Sequence, residues 1–69
     1  MEIIKLRDEY IKLGQALKAA GFVESGAEAK EVIVNGYVKV NGAPEFQRGK
    51  KLYDKDIVEF EGKKILIQQ

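Results

Sequence analysis

Ser25 and Glu28, with Gly26 between them, and a scatter of cations are the residues of this chain whose types and spacing could do chemistry. That chemistry is the binding of an anion. A serine three residues before a glutamate has the spacing of a capping box. In that motif the hydroxyl accepts from the backbone N–H three residues on, and the glutamate reaches back to the serine N–H. The helix it opens presents free N–H groups and the positive end of its dipole, which can accept a phosphate oxygen. Gly26 would let that phosphate come close. The cations are Lys12, Lys18, Lys30, Lys39, Arg48, Lys50 and Lys51. Taken singly, lysines on a small domain are ordinarily solvated surface, and a capping box ordinarily holds no ligand. The case rests on whether these pieces meet. Glu24, Glu28 and Glu31 lie nearby in sequence and would blunt the potential.

Catalysis has little to work with. The 69 residues include no histidine and no cysteine, which removes the usual general base, thiolate chemistry and the usual zinc ligands. Ser25 is the only serine and has no histidine to activate it. Asp54 and Asp56 flank Lys55 and read as turn chemistry rather than an acid–base pair. A phosphate loop of the G-x-x-x-x-G-K type is absent in proper context. No enzyme, metal or cofactor is implied. The length leaves room for one small domain and no separate catalytic module. No apolar run approaches membrane-spanning length and the amino terminus lacks a signal-peptide pattern. A soluble cytoplasmic protein is the expectation. A net charge of +1 is no nucleic-acid signature by itself. If RNA is the partner, positive charge must be segregated on the surface.

Several elements would have to position these groups. Ala29, Val32 and Ile33 lie on one face of a short helix after Ser25. Asn35-Gly36 stops it, because glycine takes the left-handed position past the last turn without strain. Val38 and Val40 alternate with Tyr37 and Lys39 as a strand, and Asn41-Gly42 has the signature of a type I′ hairpin turn. Upstream, Leu13, Ala16, Leu17 and Ala20 recur at helical spacing until Gly21, and Phe22 and Val23 fold back as core. Gly14, in the first turn, allows another backbone to approach closely. The β-favouring run Glu2–Leu6 and the piece beginning at Tyr10-Ile11 predict a small hairpin, with a continuous helix from Asp8 as the competing reading. Ala43-Pro44-Glu45 suits a turn or an irregular edge. Ile57, Val58 and Phe60, then Glu61-Gly62, then Ile65-Leu66-Ile67 read as strand, tight turn and strand. The fold class is α+β, two short packed helices against a small, mostly antiparallel sheet. Tyr10, Tyr37, Phe46 and Tyr53 are candidates for stacking on unpaired bases, with packing as the commoner role, and Phe22 and Phe60 read as core.

The ordered set S-G-x-E-A-K, from Ser25 to Lys30, followed by I-x-x-G-x-V-x-V-N-G, from Ile33 to Gly42, resembles the small RNA-binding domain named after the fourth protein of the small ribosomal subunit. We refer to it as the S-four domain, whose helix-hairpin unit is the alpha-L motif. The flanks Y-I-K-L-G-Q-A-L-K and R-G-K-K-L are similar to its stand-alone bacterial branch, called YaaA-like. The resemblance runs from about Tyr10 to Val58, and its specificity lies in the ordered spacing rather than in any one piece. It implies that residues 1–69 are a single S-four-like domain holding structured RNA through its phosphates. It nominates Lys12, Ser25, Gly26, Lys30 and Lys39 residue by residue, and the R-G-K-K segment adds Arg48, Lys50 and Lys51. Lys5 lies outside that set. Gly26 stands where the broader family commonly has arginine, and Gln47-Arg48 where the branch often has a double arginine. Both departures remove positive charge. Ribosomal or transfer RNA is the implied partner, with ribosomal particles in view and a role in ribosome assembly or translation. The rival reading is a protein-interaction adaptor with a weakened basic face. A third, a fragment of a larger RNA-modifying enzyme, is countered by the complete-looking start and end of the domain.

Overall fold

The computed structural model describes residues 1–69. The chain runs β1 (Glu2–Lys5), β2 (Ile11–Lys12), α1 (Leu13–Ala19), α2 (Gly26–Val34), β3 (Val38–Val40), β4 (Ala43–Pro44), β5 (Lys51–Leu52), β6 (Ile57–Phe60) and β7 (Lys63–Gln68). A five-stranded sheet has the order β1-β7-β6-β3-β4, and β2 and β5 form a separate two-stranded ladder. All pairings are antiparallel except β1 with β7. The α+β architecture expected from the sequence is the one found.

One apolar cluster joins these layers. Leu13, Ala16 and Leu17 of α1 and Ala29 and Ile33 of α2 pack with Val38, Val58, Phe60, Ile65 and Ile67 of the sheet, and Leu52 and Val23 complete it. The helix periodicity and the strand alternation of the sequence meet in this cluster. Both tight turns have the geometry their sequences demand. Asn41 and Gly42 have φ of 52° and 87°, and Glu61 and Gly62 of 52° and 76°, the left-handed pair a type I′ turn needs. Pro44 sits on the outermost strand, where its missing N–H costs no ladder bond. The Asp54–Asp56 cluster is a turn. Asp56 accepts from the Tyr53 N–H at 2.8 Å and from Asn41 Nδ2 at 3.0 Å.

The expected hairpin of β1 and β2 does not form, and neither does the continuous helix from Asp8. β1 instead runs parallel to β7, from Glu2 opposite Ile65 to Lys5 opposite Gln68, while β2 pairs with β5. The reason is competition for an edge. β7 carries Ile65 and Ile67, both fully buried, and β6 covers only one of its sides. β1 covers the other side, and the Leu6 N–H extends the pairing to the Gln68 carbonyl at 2.7 Å. The link between Lys5 and Ile11 also lacks any two-residue turn signal to enforce a local return.

Candidate nucleic-acid interface

Two helix starts lie close together, and they are capped differently. At α2, Ser25 is extended and its hydroxyl accepts from the Glu28 N–H at 3.1 Å. The other half of the expected capping box is shifted by one residue, because the Glu28 carboxylate accepts from the Glu24 N–H at 2.9 Å rather than from Ser25. The Gly26 and Ala27 N–H groups, the first two of the helix, find no partner in the chain and point out with the positive end of the dipole. At α1 the corresponding groups are used up. Leu13 N–H donates to the Lys50 carbonyl at 2.8 Å, and Gly14 N–H to the Arg48 carbonyl at 3.1 Å. The segment 48–50 therefore docks onto the first turn of α1, and β2–β5 pairing continues that contact with Lys12 opposite Lys51.

The docking creates a cleft of about 410 Å³ lined by Lys12, Lys18 and Arg48, by Gln15, and by Gly14, Gly26 and Gly49. Three cations and no carboxylate line it. Glu24, Glu28 and Glu31, which the sequence sets near the helix start, contribute nothing to its lining. Glu28 is turned back onto the Glu24 N–H. Positive charge on an almost neutral chain is thus gathered where the free N–H groups of α2 begin.

The nominated residues separate into groups. Lys12, Lys18, Gly26 and Arg48 meet in the cleft, and Ser25 caps the helix beside it. Lys30 is exposed one helical turn beyond Gly26, on the same face. Lys51 faces Lys12 across the ladder, with its Nζ 4.8 Å from the centre of the Tyr10 ring. Two like charges placed opposite each other in a ladder disfavour folding, and here both lysines are exposed to solvent. Lys50 adjoins the cleft through its backbone, its carbonyl holding Leu13. Lys39 stands apart. It lies on β3 opposite Glu59, in a hollow that Glu59 and Glu61 also line.

Sequence reasoning passed over Gln15, which lines the cleft and whose Oε1 accepts from the Lys12 N–H at 3.3 Å. Its signal was the spacing of three from the residue before the helix, the back half of a capping box. A lysine cannot accept a hydrogen bond, so the front half is missing there. Among the aromatic candidates, Tyr37 shares its hollow with the carboxylates of Glu59 and Glu61, which would repel a phosphate backbone. Phe46 is exposed beside Gly36, which would hold a Cβ 3.1 Å from the Phe46 ring. Phe60 is core, and Phe22 packs half-buried against it.

An S4 domain, with two helices and a mostly antiparallel sheet, is what this arrangement defines, and the model of that family matches residues 4–68. The chain belongs to the S4 domain family. It is 46% identical over 59 residues to a probable ribosome maturation protein, RlbA, of Bacillus subtilis (strain 168), covering 86% of this chain and 83% of that one. It is 38% identical over 58 residues to a putative RNA-binding protein, YbcJ, of Escherichia coli (strain K12), covering 84% and 83%. The solution structure of YbcJ from E. coli, described as revealing an alfaL motif involved in RNA binding, superposes with a TM-score of 0.76 at 34% identity. That likeness covers 100% of this chain and 89% of the other. These relatives carry RNA-binding or maturation names rather than enzyme names, in line with the expectation that the chain is not an enzyme. No helix is long and apolar enough to cross a membrane.

Proposed function

We propose that residues 1–69 act as one RNA-binding unit in the cytoplasm, holding ribosomal RNA by its phosphates during ribosome maturation. The observation that carries this reading is the cleft where Lys12, Lys18 and Arg48 surround the start of α2 with no carboxylate among them. Phosphate oxygens match that lining in charge, and the Gly26 and Ala27 N–H groups offer donors to them. Lys30 and Lys51 extend the positive track on either side. Contacts of this kind read shape and charge rather than sequence. Selectivity for one RNA then comes from how its backbone is folded. Ribosomal rather than transfer RNA is favoured by the name of the Bacillus subtilis relative, at 46% identity.

Crosslinking in cells, with sequencing of the attached RNA, tests this reading. Reads concentrated in one region of ribosomal RNA or its precursor are expected. Reads that follow RNA abundance with no such region, or that concentrate in transfer RNA, would remove the ribosomal assignment.

A further inference from the structure

The cleft continues past α1. Gln15 also lines a second groove, of about 390 Å³, formed where the chain leaves β1 and returns through Tyr10. Part of its lining is apolar, from Ile4, Leu6 and Ile11, each half-buried. Lys5 and Arg7, both exposed, line it as well. Tyr10 is its aromatic residue and is held from two sides. The Lys51 ammonium lies 4.8 Å from the ring centre, and the Tyr53 ring lies 6.1 Å away at a tilt of 53°. Because Lys51 is also the ladder partner of Lys12, one short ladder ties the aromatic residue of the groove to a cation of the cleft.

We propose that this groove takes an unpaired base of the same RNA whose phosphates lie in the cleft, a site that rests on the RNA-binding reading above. A base presents a flat apolar face and a polar edge, and the groove offers an aromatic ring with aliphatic side chains beside it. The flanking phosphates find Lys5 and Arg7. Asp8, the single carboxylate of the lining, accepts hydrogen bonds only, and base edges carry N–H donors where phosphates carry none. A base paired inside a duplex keeps both faces in the helix stack, so a paired stem fills the cleft while the groove is left to an unpaired nucleotide. The domain therefore selects RNA in which a single-stranded nucleotide adjoins the bound backbone. Lys5, outside the cations nominated by sequence, belongs to the RNA-binding surface.

The test compares a blunt RNA duplex with the same duplex carrying a short single-stranded extension that includes a fluorescent adenine analogue. The parent is expected to bind the extended RNA about tenfold more tightly, with quenching of the analogue as it stacks. Tyr10→Leu, which keeps apolar bulk, should abolish both the preference and the quenching. Arg7→Gln, on an exposed bend and safe for folding, should weaken the extended RNA alone. Lys18→Gln should weaken both RNAs alike. Equal affinity of the parent for the two RNAs overturns the base site and leaves the phosphate cleft standing. A preference that survives both Tyr10→Leu and Arg7→Gln overturns it too. Binding to neither RNA overturns the site together with the reading beneath it.

Discussion

The backbone N–H of Gly14 donates to the Arg48 carbonyl at 3.1 Å, and a Cβ added to Gly14 would lie 2.7 Å from Arg48 Cγ. The glycine lets the segment after β4 lie directly on the first turn of α1, and that contact sets Arg48 beside Lys12 and Lys18. Gly14→Ala should force the Arg48 side chain aside. Overpacking of this kind costs about 1–3 kcal/mol, offset by up to about 1 kcal/mol of helix propensity. A net loss of about 1 kcal/mol, or roughly 4–8 °C in melting temperature for a domain this size, is expected together with weaker RNA binding. Gly49→Ala meets open space with no positive φ, and its melting temperature should match the parent's.

The cap of α2 makes a second prediction. Ser25→Ala removes the acceptor of the Glu28 N–H and should cost about 1 kcal/mol. Glu28→Gln keeps an oxygen for the Glu24 N–H and should melt close to the parent, whereas Glu28→Ala should not. Thermal unfolding of the three variants decides. Equal melting of Glu28→Ala and Glu28→Gln would mean that the bond to Glu24 contributes nothing.

Two glycines with nearly equal backbone angles should respond unequally. Gly36 has φ +80° and Gly42 φ +87°, so alanine at either one adopts a left-handed conformation at about 1–2 kcal/mol. At Gly42 nothing else lies within 4 Å, while at Gly36 the new Cβ would stand 3.1 Å from the Phe46 ring. Gly36→Ala should therefore lower the denaturation midpoint more than Gly42→Ala. The reverse order would show that Phe46 yields freely.

Local signals carried the sequence reading far. The helix stops at Gly21 and Gly36 and the tight turns at Asn41-Gly42 and Glu61-Gly62 follow from residues within a few positions of each other, whereas Gly14 marks a close approach whose partner, Arg48, lies far along the chain. The pairing of β1 did not follow. The partner of β1 is decided by which strand has an uncovered edge over buried side chains, and β7 lies some sixty residues away in sequence. Lys39 matches the family motif by its position alone. Its cross-strand neighbour Glu59 becomes visible only with the β3–β6 register. Gln15 shows the converse, an ordinary surface residue until Arg48 is laid against α1.

The most direct test of the phosphate cleft is the salt dependence of RNA affinity in the parent and two lysine variants. With about four phosphates neutralised among Lys12, Lys18, Lys30, Arg48 and Lys51, log K should fall against log salt with a slope of about −3, at roughly −0.7 per phosphate of single strand. Lys18→Gln should weaken binding to different RNAs alike and flatten that slope by about 0.7. Lys64→Gln, on β7 and lining neither the cleft nor the adjoining groove, should leave slope and affinity at the parent values. A slope that Lys18→Gln and Lys64→Gln flatten equally would contradict the account, because it would mean attraction by diffuse charge rather than by a cleft.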